Sequence, residues 1–445
     1  MEYWLNLTLF KMGFWLTWAL IPIVVEIIPA FFSIFRLFLK NLRHKKLEMP
    51  DKMPFISVIV PVYNSEDTLY RCIQSIHDST YPTELVQVIL ADNQSTDSSF
   101  EVFSRAHSHF SDMHMQLIHT EQGKAKALNS AIYESIGTYI FNIDSDGVLE
   151  SHALMNMVLR FENDYDAAAM TGTILTQKEQ IKTEKGFFRK ILNKNEYFEY
   201  AQAFLSGRVI ESDSNQMFTM SGAFSAFRKE ALLNTFMYST STVGEDTDMT
   251  FQIREKLKRK VVICSDAIFY IEPINRLSQL YTQRQRWQRG EIEVSQEYSK
   301  HIELKNFFSN FLIRRMIIDH TFLFPKMIWI FASIALLFFR YSVIMMAMSY
   351  FIIYILYVVV ALFNYVCVRM LLRDFTEERR FYTRLAWVAL TLPIYNFVVA
   401  FIRFVGILNT MTEMAVWNTK KFDDEVGSVR SVFKEDLQRV KETRK

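Results

Sequence analysis

The chain keeps its apolar residues apart from its charged ones along its length, and this limits what it can fold into. Residues 12–35, MGFWLTWALIPIVVEIIPAFFSIF, contain one ionisable side chain, Glu26. A stretch of that length can cross about 30 Å of hydrocarbon. Three comparable stretches follow at 321–339, 342–367 and 385–408. Residues 50–300 have the composition of a water-soluble domain. A cleaved secretory signal would have a shorter apolar stretch and a small-residue cleavage site, so the first stretch reads as a retained anchor. The expectation is a multi-pass membrane protein with a large water-facing domain.

Lysine and arginine set the orientation. Arg36, Lys40, Arg43, Lys45 and Lys46 follow the first stretch, against Lys11 before it. Arg369, Arg373, Arg379, Arg380 and Arg384 lie between the last two stretches. Both segments are expected in the cytoplasm, and the domain with them. Half of the residues are apolar and 15% are aromatic, which excludes a disordered or fibrous chain. With 50 basic residues against 48 acidic ones, the charge of +2 argues against a nucleic-acid partner. Cys72, Cys264 and Cys367 are too far apart for metal-ligand spacing and too few for a disulfide scaffold, so they read as reduced thiols.

Within the domain, strands and helices alternate. FISVIVPVYN (55–64) is a β-branched run closed by Pro and Asn, and an amphipathic stretch runs on to His77. VQVILAD (86–92) is a second strand, DSSFEVFSRAH (97–107) a helix opened by an Asp cap, and MHMQLIH (113–119) a third strand. GKAKALNSAIYES (123–135) and GTYIFNIDSDG (137–147) continue as helix and strand. This alternation predicts a Rossmann-like α/β domain with a mostly parallel sheet, whose ligand lies beyond the carboxyl ends of the strands. The polar clusters fall at those ends: Asn64, Asp92, and Asp144 with Asp146.

Several of these clusters have chemical uses. Asp144 and Asp146, one residue apart at a strand end beside Gly147, can hold a hard cation that also takes phosphate oxygens. A plain Asp turn gives the same pattern. GEDTDMT (244–250) offers Glu245, Asp246 and Asp248 as general bases, or simply as residues favoured in a helix's first turn. Lys124 and Lys126 open a helix whose N–H groups already favour an anion. SGAFSAFR (221–228) either lines an acceptor site or makes a tight turn with core aromatics. QRQRWQRG (283–290) sets arginines beside a tryptophan just before the chain turns apolar.

In that order, VIVPVYN, ADNQSTD, GKAKALN, DSD, SGAFSAFR, GED and QRQRW resemble the motifs of family 2 glycosyltransferases with the GT-A fold. The closest likeness is to membrane-embedded polysaccharide synthases that make hyaluronan, cellulose and poly-N-acetylglucosamine, and it covers roughly residues 55–420. The resemblance implies a GT-A domain at 50–275 and an anchor at 1–45. A Q-x-x-R-W helix with interfacial helices follows at 276–320, then transmembrane segments at 321–411 and a charged tail at 412–445.

By the same resemblance Asp92 contacts the uracil of a UDP-sugar, with Asn64 beside the donor and Lys124 near its diphosphate. Asp144 and Asp146 hold Mg²⁺ or Mn²⁺. Asp246, with Glu245 beside it, is the catalytic base of an inverting transfer. Ser221 and Gly222 line the acceptor site. Gln283, Arg286 and Trp287 match Q-x-x-R-W, offering an arginine fork to phosphate and an indole face to a sugar ring. Arg284 and Arg289 fall outside that match and read as helix surface at the lipid interface. WNTK (417–420) resembles the hyaluronan-synthase ending, giving Trp417, Thr419 and Lys420 a possible gating place near donor phosphates, against an ordinary interfacial Trp and Lys.

In the uridine motif the family often has two adjacent acids, where this chain has Asp92 and Asn93. The topology has two solutions. Three C-terminal crossings put the tail outside, while the WNTK likeness puts it inside, so either 385–411 enters and returns or one stretch lies flat in the interface. Three functions follow. The first is processive, inverting synthesis of a glycan from UDP-sugars, coupled to its passage through the membrane. The second is addition of single sugars to a lipid carrier or surface glycoconjugate, as in exosortase-associated systems. The third is a non-catalytic protein that binds nucleotide or glycan. The partners implied are a UDP-sugar, a glycan or lipid-linked acceptor, the bilayer and an accessory membrane protein.

Overall fold

A computed structural model describes residues 23–41, 47–299 and 342–412, with isolated positions at 330, 331, 335 and 338. Most of the 321–339 stretch, the segment 300–320, the tail from 413 and the first half of the N-terminal stretch lie outside them. Helix α1 (Ile28–Asn41) continues a π-turn at Ile23–Ile27. Pro29 follows the junction of the two, where its missing N–H removes one donor from the helical ladder. At its other end Arg36 donates to Ser214 Oγ (2.7 Å) and Lys40 pairs with Asp213, so these two basic residues dock on the domain.

The domain follows the predicted alternation. Its elements are β1 (Ile56–Val62), α2 (Leu69–His77), β2 (Val86–Asp92), α3 (Ser99–His109), β3 (His114–His119), α4 (Lys124–Glu134) and β4 (Tyr139–Ile143). The expected Asp cap of α3 is displaced by one: Asp97 Oδ1 accepts the N–H of Ser99 (3.1 Å). Next come β5 (Val148–Leu149), α5 (Ala153–Asn163), β6 (Ala167–Thr176), α6 (Lys178–Thr183) and α7 (Phe187–Tyr200). A π-turn segment, Ala201–Gly207, links α7 to α8 (Arg208–Asp213). Then follow β7 (Phe224–Arg228), α9 (Lys229–Leu233), α10 (Glu245–Phe251), β8 (Lys260–Ile271) and α11 (Leu277–Ser299).

The eight strands form one sheet in the order β3-β2-β1-β4-β7-β6-β8-β5. β3, β2, β1 and β4 are parallel, as are β6 and β8, while β7 runs antiparallel to both its neighbours. β1 is buried along its whole length because both faces are covered. Ile56, Val58, Val60 and Val62 pack with α2, α3 and α5, and Ile59 packs with α4 on the other side. Alternation in two directions at once is why the sequence reads as an unbroken apolar run. Pro61 lies beyond the last pair with β4, at Ile59, where the ladder on that side has ended.

The C-terminal elements are α12 (Val343–Leu371), α13 (Thr376–Arg384) and α14 (Val388–Thr412). The arginine-rich segment expected as a loop is thus partly a helix, α13, and it is keyed into the domain. Lys178 and Glu378 form a buried ion pair (2.6 Å), and the hydroxyls of Tyr197 (2.6 Å) and Tyr270 (3.1 Å) donate to the same carboxylate. Satisfied on all sides, the buried charge is tolerable. Tyr382 clusters with Phe198 (4.9 Å) and Tyr365 (5.2 Å), which also stack on each other at 6.2 Å. Among the described residues two helices are long and apolar enough to cross a membrane, Met346–Leu371 and Val388–Leu408.

Candidate active site

The parallel strands deliver their polar residues to one edge. In register, Val62 lies opposite Asp92 and Asp92 opposite His119, and one strand further on β4 ends just before Asp144. Since β7 runs the other way, its start brings Ser221 and Gly222 to the same edge, with Ile143 opposite Phe224. Asp92 Oδ1 accepts the N–H of Ser95 (3.1 Å), and its Oδ2 faces His119 Nδ1 (3.1 Å). Asn64, at φ 48°, takes a left-handed turn that asparagine tolerates. Its Oδ1 accepts from Thr96 N–H (2.8 Å), so Asn64 braces the Asp92 loop. Asn93, where relatives of the resembling family often have an acid, is buried and accepts the N–H of Gly123 (2.5 Å). That bond fixes the start of α4 and therefore Lys124.

The centre of the site is a chain of contacts. Lys124 Nζ donates to Asp144 Oδ1 (2.5 Å) and to Gly222 O (3.3 Å). The N–H of Gly222 donates in turn to Asp246 Oδ2 (3.1 Å). A Cβ on residue 222 would lie 3.1 Å from that carboxylate oxygen, so glycine lets the two turns meet. Asp246 Oδ1 accepts its other bond from Thr247 N–H (2.7 Å). Burial pulls the pKa of Lys124 down, but the charges of Asp144 and Glu245 outweigh it and raise the pKa, leaving a firm ammonium. Burial pushes Glu245 up; Lys124 opposes this and Asp246 adds to it.

Asp146 is exposed to the crevice yet enclosed by its walls. That desolvation, and then the charge of Asp144, raise it to about 6. Two mutually repelling carboxylates are hard donors that a hard cation would relieve, so the residues fit Mg²⁺ or Mn²⁺. No group of three His, Cys, Asp or Glu side chains gathers for an ion among the described residues. A cation on Asp144 and Asp146 would draw other ligands from phosphate or water.

QRQRWQRG occupies the middle of α11 and splits by face. Arg286 is exposed beside the cluster, close enough to Lys124 and Glu245 to act on both. Gln283 and Trp287, one turn apart, face Tyr200 of α7: its hydroxyl lies 3.5 Å from Gln283 Oε1, and its ring meets the indole edge-on at 6.3 Å. Gly290 closes the motif. A Cβ there would stand 2.8 Å from Gly244 Cα, backbone against backbone, so α11 presses directly on the turn that carries Glu245 and Asp246. Glu293 reinforces this contact, accepting from Val243 N–H (3.2 Å) and Thr242 Oγ1 (2.9 Å).

Some expectations change. Arg284 and Arg289 are buried, not lipid-facing surface. Arg284 pairs with Glu199 (2.5 Å) and stacks over Trp287 (4.4 Å), and Arg289 pairs with Glu293 (2.8 Å). Each has a carboxylate that lets it leave water. Asp248 is spent on Gln252 (2.7 Å) and Tyr298 (3.1 Å), far from a base's role. Ser221 is buried, its Oγ accepting Ala223 N–H (3.3 Å), which makes it a turn-former. Trp417, Thr419 and Lys420 lie outside the described residues. Sequence reasoning missed Glu199 and Glu293, whose partners are set only by folding. Asn93 did leave a signal, in its departure from the acid pair.

Residues 57–236 match the family model of glycosyl transferase family 2. This domain is a family 2 glycosyltransferase. The match stops short of Glu245 and α11. Poly-β-1,6-N-acetyl-D-glucosamine synthase of Staphylococcus aureus (strain MSSA476) is 24% identical over 328 residues, 73% of this chain and 73% of that protein. The synthase of the same name from Staphylococcus epidermidis is 24% identical over 280 residues, 61% of this chain and 64% of its own length. Among solved structures, the mannosyltransferase PcManGT from Pyrobaculum calidifontis, in complex with GDP-Man and Mn²⁺, superposes with a TM-score of 0.58 at 17% identity. The superposition covers 84% of this chain and 99% of that one. The fold is GT-A, as the motif order implied.

Proposed function

We propose that the chain transfers a sugar from a UDP-sugar to a growing glycan with inversion, adding successive units at the membrane. The observation that carries this reading is the contact chain Asp144–Lys124–Gly222–Asp246, which joins a phosphate-side group to a base across one small crevice. Asp92 would receive the uracil, and Lys124 and Arg286 the diphosphate. Asp144 and Asp146 would hold Mg²⁺ or Mn²⁺, which stabilises charge on the departing diphosphate. Asp246 takes the proton of the acceptor hydroxyl while that oxygen bonds to the anomeric carbon. The bond from this carbon to the β-phosphate oxygen breaks, and UDP leaves with the electron pair. Attack opposite the leaving group inverts the configuration. Glu245, with a raised pKa beside Lys124, tunes the charge around the diphosphate. Trp287 and Gln283 would form the platform for the acceptor's sugar ring.

The names of the Staphylococcus relatives favour a polymer product, the apolar helices favour membrane residence, and the basic residues that follow the first apolar stretch favour a cytoplasmic place for the domain. Single-sugar transfer to a lipid carrier uses the same chemistry and is the second reading, favoured by the exposed apolar helices that could seat such a carrier. Membranes containing the protein are given labelled UDP-sugars one at a time with Mn²⁺, and the product is sized. A ladder of lengthening products from one donor supports synthesis of a polymer. A lipid carrying one added sugar would replace it with the second reading.

A further inference from the structure

Helix α14 is long and apolar enough to cross a membrane, but its contacts are those of a helix lying down. Near its start, Thr391 Oγ1 donates to Asn195 Oδ1 (3.0 Å) and the Tyr395 hydroxyl donates to Glu199 Oε2 (3.0 Å), both on α7. Near its end, Arg403 Nε donates to Gln288 Oε1 (2.6 Å) and Arg403 lies 3.4 Å from Glu291, while Gly406 is set against Gln285, all on α11. Residues 391 and 406 are about 22 Å apart along a helix. Both ends of that distance are held by the water-facing domain.

The helix it lies on cannot follow it into hydrocarbon. α11 carries Arg284, Arg286, Arg289, Glu291 and Glu293, and its Gly290 touches the Gly244 turn of the active site. Charges at the centre of a bilayer are costly and rare. The outward side of α14 tells the complementary story. Leu390, Ile394, Phe397, Phe401 and Leu408 are all exposed, and at 3.6 residues per turn they fall within about 60° of one another. They form a single apolar stripe opposite the buried Val388, Leu392, Val399 and Ile402. At its start stands Trp387, half-exposed, with the Lys194 ammonium 5.2 Å over its ring, the amphipathic pairing found at membrane surfaces. The candidate span α12 packs beside it, the Tyr354 hydroxyl donating to Leu390 O (2.7 Å), so the stripe continues a lipid-facing surface.

We propose that α14 lies in the plane of the bilayer interface, between the domain and the lipid, and does not cross the membrane. Its outer stripe is then buried in the acyl boundary to the shallow, even depth of an interfacial helix, roughly 5–10 Å. Its inner side holds α11, and through Gly290 the catalytic turn, at a fixed height above the membrane. Chain segments before and after α14 are on the same side.

The test is a depth profile. Leu390→Cys, Ile394→Cys, Phe401→Cys and Leu408→Cys, each at an exposed position, are spin-labelled in the full-length protein. The proteins are reconstituted into phosphatidylethanolamine–phosphatidylglycerol vesicles, and collision with oxygen is compared with collision with a water-soluble nickel chelate. The unsubstituted protein, whose Cys72, Cys264 and Cys367 are buried, gives the background. The proposal expects four nearly equal, shallow depths. A profile deepest at Phe401 and shallow at both ends, as in a spanning helix, would overturn it. So would four labels open to the nickel reagent, or four reached by neither reagent because other protein covers the stripe.

Discussion

The Asp246 carboxylate meets the Gly222 turn and, through it, Lys124 and Asp144. Asp246→Asn keeps the size and one of the two bonds, from Gly222 or from Thr247, but loses the carboxylate proposed as the base. Transfer is expected to fall by about 10²–10⁴-fold with little change in melting temperature. Asp146 makes a pH prediction. Metal binding requires the ionised form, so Mn²⁺ affinity should decline as pH falls through about 6, read by Mn²⁺ titration. Because its pKa is raised on folding, the metal-free protein binds that proton more tightly than the unfolded chain. Asp146 therefore lowers stability as pH rises from its ordinary value towards 6, and the loss persists above. Asp146→Asn should raise the melting temperature of metal-free protein at pH 7.5 but not at pH 4.5. Glu196 follows the same sign: buried beneath α11 and pushed up to about 8, it is neutral at pH 7, and Glu196→Gln should remove a loss of stability between pH 5 and 8. The carboxylates at strand ends were legible in the sequence because a strand places its last residue without help from the rest of the fold. Glu196 was not, since nothing local marks a glutamate that will lose its water.

At the level of elements, the site depends on α11 pressing on the Gly244 turn. Gly290→Ala puts a methyl 2.8 Å from backbone that cannot yield, and should cost on the order of 1–3 kcal/mol while moving Asp246. Activity should drop more than UDP binding does, since Asp92 and Lys124 are held by β2 and α4. Glu199→Gln leaves Arg284 buried without its counter-charge and should destabilise by about 3 kcal/mol, measured by thermal unfolding. Strand boundaries were readable within a residue or two for β1 to β3, where apolar period and turn residues agree, while β4 stops at Ile143, four residues before the end of the run 137–147. The face assignments of α11 were not. Arg284 finds its partner 85 residues away and Lys178 finds Glu378 at a distance of 200, and no periodicity records such pairs.

At the scale of the whole molecule, the crevice of the glycosyl transferase family 2 domain stands beside a layer of apolar helices. α1 and α12 pack side by side, Phe31 stacking on Phe363 at 5.0 Å, and both end in residues that dock on the domain. Hydropathy alone made the membrane layer visible from the start. It could not distinguish a helix that crosses from one that lies flat, because lipid exposure on one stripe gives both the same composition. The domain's activity is testable without resolving that layer. Purified protein in vesicles, given the UDP-sugar that supports incorporation and Mn²⁺, is compared with Asp246→Asn under the same conditions, with UDP binding measured on both. Incorporation that disappears in the variant while UDP affinity holds is the predicted result. Incorporation that survives the substitution would contradict the assignment of Asp246 as the base and, with it, the crevice as the site of transfer.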